Sequence, residues 1–358
     1  MADATLVTRV RTLRRSGQRE LFLTSLSVLL AVVFVLSVGY GAVPIAPGQV
    51  LAILADKVGL SLPWTYDPAQ ALVLTGIRLP RAIGAVLVGT ALAISGGALQ
   101  GLFRNPLADP ALIGVSTGAA LAAATVIVFG GAFLSLTAGF GLPVAAFAGG
   151  VATTFVVYQI ATRAGETDVS TMLLAGVALN AITAAGIGYF VFMSDEQQLR
   201  DLNYWLLGSL GGITWVQLAT SLPFILLPAI ALPLLARPLN AFLLGETEAG
   251  HLGFDVERTK RVIVVLVALA VGAAVAISGV IGFVGLVVPH LVRLMAGPDH
   301  RTVLPASALL GASLMLIADL LARSLVLPAE LPIGILTSCV GGPFFLWLLM
   351  RRRGMGAW

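Results

Sequence analysis

The sequence predicts an all-α polytopic membrane protein, about ten transmembrane helices built as two inverted five-helix halves, and three observations carry that prediction. Of 358 residues, 58% are hydrophobic and only 11% charged, with a mean hydropathy of +0.99; a soluble domain carries roughly 25% charged residues. The apolar residues fall into runs long enough, at about 1.5 Å of helix per residue, to cross about 30 Å of hydrocarbon. Finally, the tetrad Ala93-Ile94-Ser95-Gly96 recurs as Ala276-Ile277-Ser278-Gly279, and Pro106 and Pro289 each follow the tetrad's alanine by 13 residues. With ten spans the second and seventh helices run in opposite directions, which makes the two copies inverted.

Residues 1–20 are a basic, cytoplasmic N-terminal segment with Arg9, Arg11, Arg14, Arg15 and Arg19. The apolar run behind it is too long for a signal peptide and lacks a small-residue cleavage site, so it reads as a first span. The ten-helix transmembrane domain, 21–350, then contains runs at Leu21 to Val38, Ile83 to Phe103, Leu112 to Phe129, Leu142 to Ala161, Thr171 to Phe192, Val216 to Leu235, Val262 to Ile281, Phe283 to Met295, Leu304 to Leu321 and Ile333 to Met350. The eighth is short and contains Pro289, as a discontinuous helix or a tail of the seventh would. Ten spans with both termini inside, 351–358 included, place 16 of the 21 Lys and Arg residues on the cytoplasmic face; nine spans place only 12 there. The positive-inside rule selects ten. Arg78, Arg81 and Arg323 then share the outer face.

Two outer connections carry helical pattern: one at Gln49 to Lys57, and RDLNYWLLGSLGG after Met193, with Tyr204 and Trp205 at headgroup level. The inner connection 237–261 holds Glu246, Glu248, Asp255 and Glu257 beside Arg258, Lys260 and Arg261, and Gly245, Gly250 and Gly253 punctuate a short helix there. A solvated loop and a docking surface for a cytoplasmic partner both fit. In the second span Gly84, Gly89, Ala93, Ser95, Gly96, Gly97 and Ala98 allow close backbone approach, so this helix packs centrally against protein.

The chain has no G-x-x-x-x-G-K-[ST] loop: Lys57 precedes Val58 and Lys260 precedes Arg261. His251, His290 and His300 lack paired zinc spacing, and the lone Cys339 excludes internal disulfides. No catalytic residues, metal site or permanently bound cofactor are expected. Ion-coupled carriers keep an ionisable group at mid-membrane; the span centres here hold none, and Asp319 and Arg323 sit four apart at the outer end of the ninth span. An ion-coupled secondary transporter is therefore the weaker class, and an energy source outside the chain the stronger. Asn180 shares a face with Gly176, Ala184 and Gly188, suited to helix packing or to lining a pathway.

RLPRAIGAVLVGTALAISGGALQGLFRNPLADPALIGVSTGA, MLLAGVALN, GFVGLVVPHLVRLMAGPDHR and IADLLARSLVLPAELPIGILTSCVGGPFFLWLL, in that order, resemble the membrane subunit of type II ABC importers for iron siderophores, haem and cobalamin, over about Leu74 to Arg352. The resemblance implies a homodimeric permease in a bacterial inner membrane, working by alternating access with two cytoplasmic ATPase subunits, which use the ATP, and one periplasmic binding protein. It implies that Arg78, Arg81 and Arg323 dock the binding protein. Gly245, Glu246, Glu248, Ala249, Gly250, His251 and Gly253 would form the ATPase-coupling helix. A path at the dimer interface would be lined by Leu173, Gly176, Asn180, Ala184, Thr337 and Ser338, with an inner gate near Val169, Ser170 and Leu174. Among cargoes the motifs look most like the haem-importing branch, with ferric siderophore or cobalamin as the alternative inside the family.

Overall fold

The computed structural model describes residues 2–41, 43–131, 137, 140–326 and 329–353. Helix α1 (Ala2–Gly39) runs from the basic segment through the first span. A short helix α2 (Pro47–Asp56) follows, then α3 (Pro68–Val73), which passes through one π-helical turn (Leu74–Arg78) into α4 (Leu79–Leu102). The second span thus starts 15 residues before Ile83 and is one 35-residue helix, Pro68–Leu102. The wide turn has a local cause. Pro80 brings no amide, and its ring crowds the carbonyl four residues back, which a π turn moves aside.

A 3₁₀ turn (Pro110–Ile113) leads into α5 (Val115–Phe129) and α6 (Gly141–Ala161). A two-residue antiparallel hairpin, β1 (Thr162–Arg163) and β2 (Glu166–Thr167), then turns the chain into α7 (Val169–Met193). The surface helix α8 (Glu196–Leu207) and the span α9 (Trp215–Leu234) both start with capping boxes. Asp195 pairs with Gln198 and Thr214 with Gln217, as the D-x-x-Q and T-x-x-Q spacings allow. Two short helices, α10 (Ala236–Phe242) and α11 (Glu246–His251), fill the expected inner connection. After α12 (Val256–Ser278) the chain breaks at Gly279 (φ +69°), so α13 (Val284–Ala296) is a separate short helix and not a tail of the seventh span. The chain ends with α14 (His300–Ala322) and α15 (Ile333–Arg353). Among the described residues seven helices are long and apolar enough to cross a membrane, and three shorter apolar ones, α5, α13 and part of α15, bring the number to ten.

Ser209 donates from its amide to the carbonyl of Ser278 at 2.8 Å, and Gly211 lies beside Arg81. The start of α4 and the end of α12 therefore sit at the same end of the molecule, so these helices, which carry the repeated tetrads, are antiparallel. Helix α4 is the centre, with 78% of its most apolar stretch buried, against 11% for α7. Its glycines explain why. A Cβ at Gly89 would strike the backbone of Gly311 in α14, and one at Gly96 the backbone of Gly285 in α13. Where lipid is as apolar as leucine, such close backbone contact supplies the association that a hydrophobic drive supplies in water.

Candidate functional site: two polar ends and an open helix face

At the Arg81 end, α4 and α14 bring together charges far apart in sequence. Arg81 donates from Nε to Asp319 at 2.8 Å and from Nη1 to both oxygens of Glu330 at 2.9 Å. Asp319 is fully buried, and its second oxygen faces Arg323 at 3.5 Å. Arg323 also donates to the backbone carbonyl and, at 3.0 Å, to the hydroxyl of Ser37 in α1. Arg78 donates to the carbonyls of Val38 (3.3 Å), Gly39 (3.0 Å) and Val43. Burial, and then the neighbouring Arg81, pull Arg323 below its ordinary value against the opposing pull of Asp319.

The three arginines do converge, but they are not free-standing knobs. Arg78 and Arg81 are 5% and 6% exposed, while the side chain of Glu330 is 48% exposed. Ten-helix topology indicated a common face; the internal acceptors were missed. Asp319 had been paired with Arg323 by its four-residue spacing, whereas the closer partner, Arg81, lies 238 positions away.

The opposite end carries two polar clusters. In one, Arg293 donates to the side-chain oxygen of Gln100 and to the carbonyl of Gly97 (3.3 Å). Nearby, Asn240 accepts from the His300 amide at 2.9 Å and donates to Asp299 at 2.6 Å, tying α10 to the start of α14. In the other, Lys260 joins Glu246 at 2.6 Å and Glu257 at 2.9 Å. Glu246 is therefore engaged by Lys260, and Ala249 is fully buried. Glu248, Gly250, His251 and Gly253 remain exposed. Leu244 and Leu252 stand exposed beside them, a pair that sequence reasoning missed. Two leucines inside a charged connection were the available signal.

Helix α7 is capped by Asp168, which accepts from the Ser170 amide at 3.3 Å and the Thr171 amide at 2.8 Å. The hydroxyl and amide of Thr171 hold this carboxyl below its usual range. Its ionised form is thus favoured by folding, and that contribution is lost only as pH falls through the lowered value. Beyond the cap one face of α7 is open. Leu174, Val177, Ile182, Tyr189 and Phe192 are exposed along it, with Ala184 among them.

The expected path lining divides on this point. Gly176 abuts the carbonyl of Leu112, and Asn180 donates to the Ala111 carbonyl at 3.1 Å and accepts from Thr117 at 2.6 Å. Both are packing residues that seat the 3₁₀ turn and α5 on α7, because four-residue spacing marks a common face without saying which face. In α15, Thr337 is buried and donates to the Gly334 carbonyl at 3.2 Å, whereas Ser338 is exposed. Leu173 and Val169 are half-buried, and Ser170 and Leu174 are exposed.

An all-helical polytopic chain with a glycine-packed centre, polar side chains gathered at both ends and one uncovered span is a membrane permease. Residues 29–351 match the FecCD transport family, and the chain belongs to that family. It is an ABC importer permease. It is 48% identical to the hemin transport system permease protein HmuU of Yersinia pestis over 77% of this chain and 83% of that protein. It is 42% identical to the cobalamin import system permease protein BtuC of Halobacterium salinarum over 87% of this chain and 82% of that one. Among solved structures it is similar to an ABC transporter described as of metal-chelate type in an inward-facing conformation, with TM-score 0.80 and 34% identity, over 92% of this chain and 98% of that one.

Proposed function

We propose that the chain is the permease subunit of an ATP-driven haem importer in a bacterial inner membrane. Two copies form the path, two cytoplasmic ATPase subunits drive it, and one periplasmic binding protein delivers haem. The observation that supports haem most is the 48% identity to a hemin permease, higher than the 42% to a cobalamin permease. Ferric siderophore or cobalamin remains the second reading, favoured by the many cobalamin permeases among its relatives. An ion-coupled secondary transporter lies outside this reading.

In this account both termini and the connection 237–261 are cytoplasmic. Glu248, His251 and the flanking Leu244 and Leu252 meet the ATPase. The Arg78, Arg81 and Arg323 cluster meets the binding protein, whose carboxylates would take the place of exposed Glu330 on Arg81. Ion pairs at such an edge contribute about 0–1 kcal/mol each, so their chief effect is on orientation and encounter. The open face of α7, with Ser338 from α15, covers the same face of a second copy, and Val169, Ser170 and Leu174 narrow the inner mouth.

The test of cargo is uptake by proteoliposomes holding this chain with its cognate ATPase and binding protein, offered haem, a ferric siderophore and cobalamin separately. Accumulation of haem in preference to the other two is expected. Preferential accumulation of cobalamin or of the siderophore would discard haem.

A further inference from the structure

Lys260 is 2% exposed although it sits in the second turn of α12, close to the chain's charged inner connection. Its amine reaches three acceptors on three different segments: Glu246 of α11 at 2.6 Å, the carbonyl of Thr167 in β2 at 2.7 Å, and Glu257 on its own helix at 2.9 Å. Glu257 completes a ring, since its other oxygen accepts from the Thr167 amide at 2.9 Å. Both backbone groups of Thr167 are thus held by one Lys–Glu pair. The next residue, Asp168, caps α7 through Ser170 and Thr171. A cleft of about 690 Å³ separates the hairpin from α11 over this ring, lined by Arg163, Glu166, Asp168 and Glu246 among others.

We infer that Lys260 is a positioning residue that couples displacement of α11 to the hairpin and, through it, to the start of α7, so that the inner mouth responds to what α11 touches. This rests on reading α11 as the ATPase-coupling helix. The cleft gives α11 room to move relative to the hairpin. If the ion pair holds, Thr167 is drawn with it. If the pair breaks, a buried ammonium loses a carboxylate, which is costly in a sheltered site. A lysine retained only for packing gains little, because buried ion pairs are often replaced by apolar side chains of similar volume without loss of stability. Specific linkage of three segments is what an apolar residue cannot supply.

The test uses the complete reconstituted importer with Lys260→Met, Lys260→Arg and Glu257→Gln. Three quantities are read: ATP hydrolysis, cargo taken up per ATP hydrolysed, and the ATP-dependent change in distance between spin labels at Ser170 of the two copies. Lys260→Met is expected to keep ATP hydrolysis while cargo per ATP falls about tenfold, within the ordinary range of coupling energies, and the Ser170 distance ceases to respond. Lys260→Arg, which preserves the cation, restores most of the response. Should the Met variant not assemble, Glu257→Gln, which keeps the shape and removes the charge beneath Thr167, is expected to lower cargo per ATP about fivefold. Unchanged cargo per ATP and an unchanged distance response in either folded variant would overturn the inference. A wild-type complex in which ATP moves Ser170 not at all would instead overturn the reading of α11 as the coupling helix.

Discussion

At Gly96 a single methyl group would land on the carbonyl of Gly285, and neither helix backbone can yield as a side-chain tip can. Gly96→Val should therefore lower stability by about 1–3 kcal/mol or more through overpacking, read as an earlier thermal transition of the purified protein in detergent. Gly282→Ala, with nothing within 4 Å of its added carbon, should leave that transition in place. The small residues of α4 were legible as a packing face from the sequence, because Gly, Ala and Ser at helical spacing have few other uses in a membrane span. Their partners, Gly285 and Gly311, were not legible, since tertiary pairing across 189 and 222 positions leaves no local periodicity. The same limit explains Gly176 and Asn180, whose side of α7 is set by where the 3₁₀ turn docks.

Between elements, the buried Asp319 holds α4 and α14 together through Arg81 and, through Arg323, reaches α1 at Ser37. Asp319→Ala removes the shared carboxylate from two sheltered guanidinium groups and should cost about 3–5 kcal/mol. Glu330→Gln alters a half-exposed partner and should cost no more than about 1 kcal/mol. Chemical or thermal unfolding of the two variants side by side measures the difference, and equal losses would mean that Asp319 is not the hub. The ten spans followed from the sequence as apolar runs; the capping boxes at Asp195 and Thr214 and the glycine break at Gly279 are local signals that the reading passed over. The start of the second span did not follow, because the π turn that admits Pro80 converts an apparent helix start into mid-helix. The pairing of Glu246 was not legible for a related reason: a lysine 14 positions on folds back to meet it.

Across the whole molecule the burial of spans is uneven, with α4 enclosed and α7 almost bare. The face of α7 that includes Leu174, Ala181 and Phe192 is the one a second copy would cover. With Cys339 replaced by Ser, Ala181→Cys is expected to form a disulfide-linked dimer in native membranes under mild oxidation, visible as a covalent dimer on a gel. Thr183→Cys, on the buried side, should not. The polytopic membrane class was legible from composition and apolar runs because they reflect the bilayer itself, whereas the permease family was legible only through its long motifs. The cargo was less so, since the apolar and small side chains proposed to line the path include few groups that would name what passes.

The energy source is the central claim, and it is measured most directly with radiolabelled haem and proteoliposomes containing this chain, its ATPase and its binding protein. Accumulation should require all three proteins and hydrolysable ATP, and should persist when a protonophore collapses the proton gradient. Accumulation by this chain alone, driven by an imposed proton gradient without ATP, would contradict the account.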